Sequence, residues 1–160
     1  QKNYIILRFF NVVGRNFSDY KKNFSKNLFN ILYEKFQTNK KFFIFGKNLK
    51  TKDGTPVRDF VYVDDLVEVI YKTIILKRKS YILNVGYNVG FTVLEVYKSF
   101  AKVFKKKIPL IFLSPRKIDP KVSVACNKKL KKNLRWKPKY ENIDIIVKKF
   151  IYEKRKILKR

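Results

Sequence analysis

Apolar residues along this chain fall into short blocks separated by polar turns, and the blocks follow two periods. Residues 4–10, YIILRFF, form a nearly continuous apolar run followed by loop-forming residues at 11–18, the pattern of a strand covered on both faces. From 24 to 36 the period changes. Phe24, Leu28, Ile31, Leu32 and Phe36 recur at three- and four-residue intervals, which predicts an amphipathic helix. Residues 42–45 read as a short strand closed by Gly46, and a polar stretch over 47–56 turns at Asp53 and Gly54. A second short strand at 60–63 leads into a helix at 65–76. There Asp64 is the expected cap, and Asp65 and Glu68 suit the positive end of the helix dipole.

The second half continues the alternation. A strand at 81–85 precedes a turn bracketed by Gly86 and Gly90, and Thr92 with Glu95 makes a capping box for a helix at 93–104. A strand at 108–113 and a loop between Pro115 and Pro120 follow. A short basic helix near 128–133, a stop at Trp136 to Pro138 and a final helix at 143–158 complete the chain. Strands alternating with helices give an α/β or α+β class, and no repeat, low-complexity linker or internal boundary divides the 160 residues.

Composition narrows the chemistry. With no His, most zinc, haem and non-haem iron sites and the Ser-His-Asp and Cys-His nucleophile systems are excluded. The single cysteine, Cys126, rules out an intramolecular disulfide and is expected as a small packed residue. Catalysis then rests on carboxylates, Lys, Tyr or a bound cofactor. No apolar run is long enough for a membrane-spanning helix. The chain opens on Gln1 and contains no Met, and it is read as a piece of a longer one.

The formal net charge of +27 is the asymmetry a polyanion binder would show. Yet 31 of the 39 cations are Lys and 8 are Arg, while Asn, Ile, Phe and Tyr are also abundant, so the bias reads as compositional drift. Arg, which forks onto phosphates, is not the enriched cation.

Individual motifs are weak. NVGYNVG at 84–90 sits between a strand and a helix, but it lacks the glycine spacing of a dinucleotide fingerprint and reads as a structural turn. Tyr152 and Lys156 satisfy Tyr-x-x-x-Lys, yet roughly two such matches are expected by chance, so Tyr152 is read as packing or solvated. Asp59 is assigned to local pairing with Arg58. What remains is scattered: Asn11 after a strand end, Arg58 between a turn and a strand, and Arg116, Lys117 and Asp119 in a proline-bounded loop. Cations on loops leaving strand ends favour a phosphate-containing ligand.

Four segments, LRFFNVVG (7–14), FIFGKNLKTKDGTPVRDFVYVDDL (43–66), YILNVGYNVGFTVLEV (81–96) and LRWKPKY (134–140), occur in an order and spacing that resemble the C-terminal half of the UDP-glucose 4-epimerases. These are extended short-chain dehydrogenases/reductases of the NAD-dependent epimerase/dehydratase family. The resemblance implies the last part of a Rossmann sheet with a smaller α/β substrate-binding domain, over residues 1–160. It implies NAD as cofactor, a UDP-hexose as substrate, epimerisation through a 4-keto sugar, a homodimer when full length, a cytoplasmic location, and neither nucleic-acid nor membrane binding. In this resemblance the NAD-binding glycine turn and the catalytic Tyr-x-x-x-Lys lie upstream of residue 7, so no catalytic residue is assigned within the chain.

Residue by residue, Phe10 matches the position that closes over the nicotinamide and Asn11 one that contacts the hexose. Asn27 and Leu28 match a pair that contacts the nucleotide at a helix start. Phe43, Ile44 and Phe45 match the strand along the uracil, Arg58 a diphosphate-binding Arg, and Asp119 an Asp that binds the ribose. Either Arg116 or Lys117 takes a second diphosphate role. Ser123 matches a residue beside the hexose 2-position, where a small side chain leaves room for an N-acetyl group. The chain departs from the resemblance in a shorter loop at 15–26 and in Cys126, where Asp is usual. The alternatives are another NAD-dependent sugar-nucleotide epimerase or dehydratase, and a non-catalytic basic module that binds nucleic acid or anionic lipid.

Overall fold

The computed structural model describes residues 3–14, 27–76 and 80–158. In chain order the elements are β1 (Ile5–Phe9), β2 (Asn11–Val13), α1 (Leu28–Thr38), β3 (Phe42–Phe45), β4 (Val57–Arg58), β5 (Phe60–Tyr62) and α2 (Val63–Ile74). They continue with β6 (Tyr81–Val85), β7 (Phe91–Thr92), α3 (Val93–Phe104), β8 (Leu110–Leu113), β9 (Val122–Ser123), α4 (Lys128–Leu134) and α5 (Ile143–Leu158). The class is α/β as expected. Phe24 and the loop at 15–26 lie outside the described residues, and α1 is capped by Asn27, whose Oδ1 accepts the Asn30 N–H at 2.9 Å.

Parallel pairing dominates. β1 lies beside β6 with Ile5 opposite Tyr81, β2 beside β5, and β3 beside β8 with Phe42 opposite Leu110. A mixed sheet joins β7, β4 and β9, with Arg58 opposite both Phe91 and Ser123. The strands β2, β4, β7 and β9 are two or three residues long, too short for an alternation to show in sequence. β1 corrects the expectation of burial on both faces: Ile5 and Leu7 face the core, whereas Tyr4, Ile6 and Phe9 are exposed, as is Ile82 beside them on β6.

The core is aromatic because α1, α3 and α5 each bring Phe or Tyr to one centre. Phe29 meets Phe60, Phe100 and Phe150 edge-on at 5.2, 5.6 and 5.4 Å between ring centroids. Edge-to-face contacts at such distances add to the burial of each ring. Phe36 stacks on Phe104 at 5.1 Å, fixing the side of α1 that turns away from solvent.

Buried polar groups tie the strand ends together, and they correct two assignments. Asp59 does not pair with Arg58. It is fully buried, and its carboxylate accepts the backbone N–H groups of Tyr87, Asn88 and Ala125 at 2.8, 2.9 and 3.1 Å. The turn after β6 therefore closes around an internal carboxylate, and a side chain at Gly86 would meet Ala125 Cβ at 2.6 Å and Asp59 Oδ2 at 2.8 Å. Burial pushes the Asp59 carboxyl up from its ordinary pKa, against the three N–H donors that favour its charged form. Asp64 caps nothing, since α2 begins at Val63 without a side-chain cap; its carboxylate instead pairs with Lys149 of α5 at 2.9 Å. Asp65 is buried, where Oδ2 accepts from the Tyr87 hydroxyl at 2.7 Å and from the Lys139 N–H at 2.9 Å, fastening the segment around Trp136.

Candidate functional site

A cleft of about 340 Å³ opens between α1, β3 and the loops around β4 and β8. Its apolar walls come from two periodicities. Leu28, Ile31 and Lys35 stand at three- and four-residue spacing and share one face of α1. Opposite them runs the whole of β3, Phe42 to Phe45, joined by Pro56, Phe60 and Val93. Along β3 the side chains alternate: Phe42 and Ile44 are buried in the core, while Phe43 is exposed and Phe45 half-buried.

The polar end is built around Asp119. Arg58 is held by its own strand and by the loop before β9, its Nη1 donating to the Val57 carbonyl at 2.8 Å and to the Pro120 carbonyl at 2.7 Å. Its Nη2 lies 3.8 Å from Asp119 Oδ1, and Arg116 Nη1 lies 3.9 Å from Asp119 Oδ2. The Arg116 guanidinium lies over the Phe45 ring, its Cζ 3.9 Å from the centroid, a cation–π contact that fixes its plane. One carboxylate between two guanidiniums leaves net positive charge at this end of an otherwise apolar cleft. Both ion pairs are long, so the forks keep donors for an anionic ligand.

Of the residues singled out from sequence, Asn11, Leu28, Phe43, Ile44, Phe45, Arg58, Arg116 and Asp119 line this one cleft, although they are spread over more than a hundred positions. Asn11 is fixed at the strand end by donating from Nδ2 to the Asp59 carbonyl at 2.9 Å. Asn27 stands next to the cleft as the cap of α1. Lys117 is exposed and is not among the lining residues, which separates it from Arg116. Ser123 lies on β9 opposite Arg58, outside the lining. Phe10 is half-buried between β1 and β2, its N–H donating to the Val85 carbonyl at 3.1 Å. Cys126 is exposed rather than packed, because the side chains before and after it, Ala125 and Asn127, take the buried positions. Tyr152 is exposed on α5.

Sequence reasoning missed Ile31, Lys35, Phe42, Pro56, Phe60 and Val93 in the lining. For Ile31 and Lys35 a signal existed: they follow Leu28 at helical spacing. Pro56 and Phe60 flank Arg58 at two residues on either side.

A sequence profile of the NAD dependent epimerase/dehydratase family matches residues 1–90. A UDP-glucose 4-epimerase of Lactobacillus helveticus is 36% identical over 152 residues, 90% of this chain and 46% of the relative. UDP-glucose 4-epimerase 2 of Arabidopsis thaliana is 39% identical over 100 residues, 60% of this chain and 29% of the relative. Among solved structures, the UDP-glucose 4-epimerase of Bifidobacterium longum in complex with NAD+ and UDP superposes with a TM-score of 0.83 at 29% identity. That match covers 96% of this chain and 48% of the other. The UDP-Glc/GlcNAc 4-epimerase of Campylobacter jejuni superposes with a TM-score of 0.77 at 32% identity, over 96% and 49%. The chain spans about half the length of such relatives at most. A profile match over more than half of the chain, on the same α/β scaffold and through both β1 and the Arg58 strand, makes this chain a member of the NAD dependent epimerase/dehydratase family.

Proposed function

We propose that this chain supplies the sugar-nucleotide cleft of an NAD-dependent 4-epimerase that interconverts UDP-glucose and UDP-galactose. The observation that carries the reading is the cleft itself, in which an apolar helix face and strand lead to two guanidiniums separated by one carboxylate. A pyrimidine nucleoside diphosphate offers the same succession of parts: a flat base, a hydroxylated ribose and an anionic diphosphate. Phe43 and Phe45 flank the uracil, Ile44 between them offers its backbone while its side chain turns to the core, Asn27 and Leu28 border the nucleotide, and Asp119 accepts from the ribose hydroxyls. Arg58 and Arg116 fork onto the diphosphate, Arg116 being favoured over Lys117 by its place in the lining.

Bound NAD would supply reversible hydride transfer at C4 of the hexose. The chain's own contribution toward that cofactor is Phe10. Its half-buried ring stands at the carboxyl ends of the parallel strands β1 and β6, where ligands of open α/β sheets sit, and that place fits contact with the nicotinamide. Everything else the chain does is positional. Charge and ring contacts anchor UDP, while Asn11 and the small Ser123 are the groups assigned to the hexose. Strong anchoring at one end and light contact at the other leave the sugar free to present either face of C4, which inversion requires.

Calorimetric titration tests the reading. UDP and UDP-glucose are expected to bind with similar affinity, and glucose 1-phosphate far more weakly. Equal binding of glucose 1-phosphate and UDP-glucose, or no UDP binding at all, would overturn it. Formation of UDP-galactose from UDP-glucose by the polypeptide that carries this chain is the matching activity measurement.

A further inference from the structure

The cleft has a cation at its apolar end that no diphosphate role accounts for. Lys35 lines the cleft from the last turn of α1, and its side chain is only 25% exposed. Its ion pair with Glu34, the preceding residue, is long at 4.0 Å. A Lys placed among Ile31, Phe42 and Phe43 gives up hydration, so a ligand atom that accepts from it gains correspondingly.

The topology sets where Lys35 stands relative to the arginines. The Lys40 N–H donates to the Lys35 carbonyl at 3.1 Å, and the chain then turns into β3 at Phe42, so Lys35 sits at the start of that strand. Arg116 stacks on Phe45 at its other end. Three residues of extended chain separate the two ends by about 10 Å. Along α1, Lys35 likewise stands about 10 Å from Leu28, seven residues at the helical rise. A pyrimidine nucleotide with its phosphates on Arg58 and Arg116 and its base along β3 would direct the distal base edge toward Lys35.

Resting on the sugar-nucleotide reading above, we propose that Lys35 is a specificity-determining residue that donates a hydrogen bond to the carbonyl oxygen on the distal edge of the pyrimidine base. The ammonium has three donors and no acceptor. It therefore favours uracil, which carries a carbonyl at C4, over cytosine, which carries an amino group there. The apolar walls and the guanidiniums do not distinguish these bases by charge or shape; the edge of β3 away from β8 offers backbone groups to either base, and Lys35 adds a preference for the carbonyl.

The test is titration of the chain and of Lys35→Met with UDP, CDP and inorganic pyrophosphate at one ionic strength. Lys35→Met should weaken UDP about tenfold, the size expected for a hydrogen bond to a charged group. It should also reduce the preference for UDP over CDP severalfold and leave pyrophosphate affinity nearly unchanged. Lys35→Arg, which keeps donors, should restore part of the preference. An unchanged UDP-to-CDP ratio in Lys35→Met overturns the proposal. Equal weakening of all three ligands also overturns it, by showing that Lys35 acts only through net charge. If the unsubstituted chain binds no UDP, the sugar-nucleotide reading fails and this inference falls with it; intact UDP binding with an unchanged ratio removes the inference alone.

Discussion

The two cleft arginines have the same charge but different duties, and this separates their variants. Arg58 donates to two backbone carbonyls, of Val57 and Pro120, and so holds the loop before β9 against β4. Arg116 touches Phe45 and pairs loosely with Asp119 on a more exposed side chain. Arg116→Ala is expected to weaken UDP binding about tenfold or more while leaving the denaturation midpoint nearly unchanged. Arg58→Ala should weaken binding similarly and also lower stability by about 1–2 kcal/mol, since it removes the two hydrogen bonds that hold the loop before β9 against β4. Titration calorimetry and urea unfolding on the two variants separate these outcomes; equal stability loss in both would contradict the division. The wrong assignment of Asp59 has a related cause. Arg58 and Asp59 are adjacent in sequence, but on a strand adjacent side chains face opposite ways, so Arg58 reaches the cleft and Asp59 the interior. Nothing in the local sequence marks the three backbone donors that Asp59 receives, because they come from two other segments of the chain.

At the scale of elements, what was legible followed from local physics. The capping box on α3 was readable from Thr92 and Glu95 alone, and both of its bonds form: the Thr92 hydroxyl accepts the Glu95 N–H at 3.0 Å, and Glu95 accepts the Thr92 N–H at 2.9 Å. The helices and longer strands were legible for the same reason, that their periods recur within a few residues. The sheet partners were not. β1 pairs with a strand more than seventy positions away, and such parallel register carries no local signal. The α3 cap has a further link unseen in sequence, the Thr92 hydroxyl donating to Asp53 Oδ2, which ties the 47–56 loop to the helix. Thr92→Val should therefore cost about 2 kcal/mol in urea unfolding, more than a lone cap, because it also takes a donor from a carboxylate. The effect has a pH signature. Glu95 and Asp53 both have lowered pKa values, and in each the burial that opposes ionisation is outweighed by hydrogen bonds that favour the carboxylate. A lowered folded pKa contributes stability that is present above the ordinary carboxylate value and is lost as pH falls through the lowered one. The difference between the protein and Thr92→Val should thus shrink as pH falls below about 4. A difference that persists unchanged into acid would show that crowding by the methyl group that replaces the hydroxyl, not the lost bonds to the two carboxylate-bearing residues, is what destabilises the variant.

For the whole molecule, the charge that first suggested a polyanion partner has a physical consequence whatever the chain binds. Thirty-nine cations against 12 carboxylates give +27 on 160 residues, and several of the carboxylates are already engaged in the interior or in ion pairs. Among the described residues, most of the remaining cations are exposed. In the segment 128–139 seven of twelve residues are Lys or Arg, none is acidic and all seven cations are exposed; Lys131 pairs with Glu141 and Lys139 with Glu68, while Lys128, Lys129, Lys132, Arg135 and Lys137 add to the excess. Folding brings these charges closer together than in the unfolded chain, so their mutual repulsion favours unfolding. The repulsion acts over a distance set by the Debye length, about 10 Å at 0.1 M salt and about 3 Å at 1 M. Raising sodium chloride from about 0.02 to 0.5 M should therefore raise the melting temperature, by several degrees for a stability gain of about 1–2 kcal/mol. Surface ion pairs such as Lys52 with Glu95 at 2.6 Å and Lys102 with Asp144 at 2.8 Å weaken over the same range, which opposes the trend. Individually they are worth little, and the uncompensated excess far outnumbers them, so repulsion decides the sign. Under the proposed sugar-nucleotide reading, salt should act on the cleft in the other direction, weakening UDP binding modestly because only two guanidiniums would meet the diphosphate. Nucleic-acid binding through the 128–139 face would instead weaken steeply with salt, since each neutralised phosphate releases counterions. A melting temperature that falls with added salt would mean that attractive pairs outweigh the excess, and the drift of this sequence toward Lys would then have to be a stabilising feature rather than a burden on the fold.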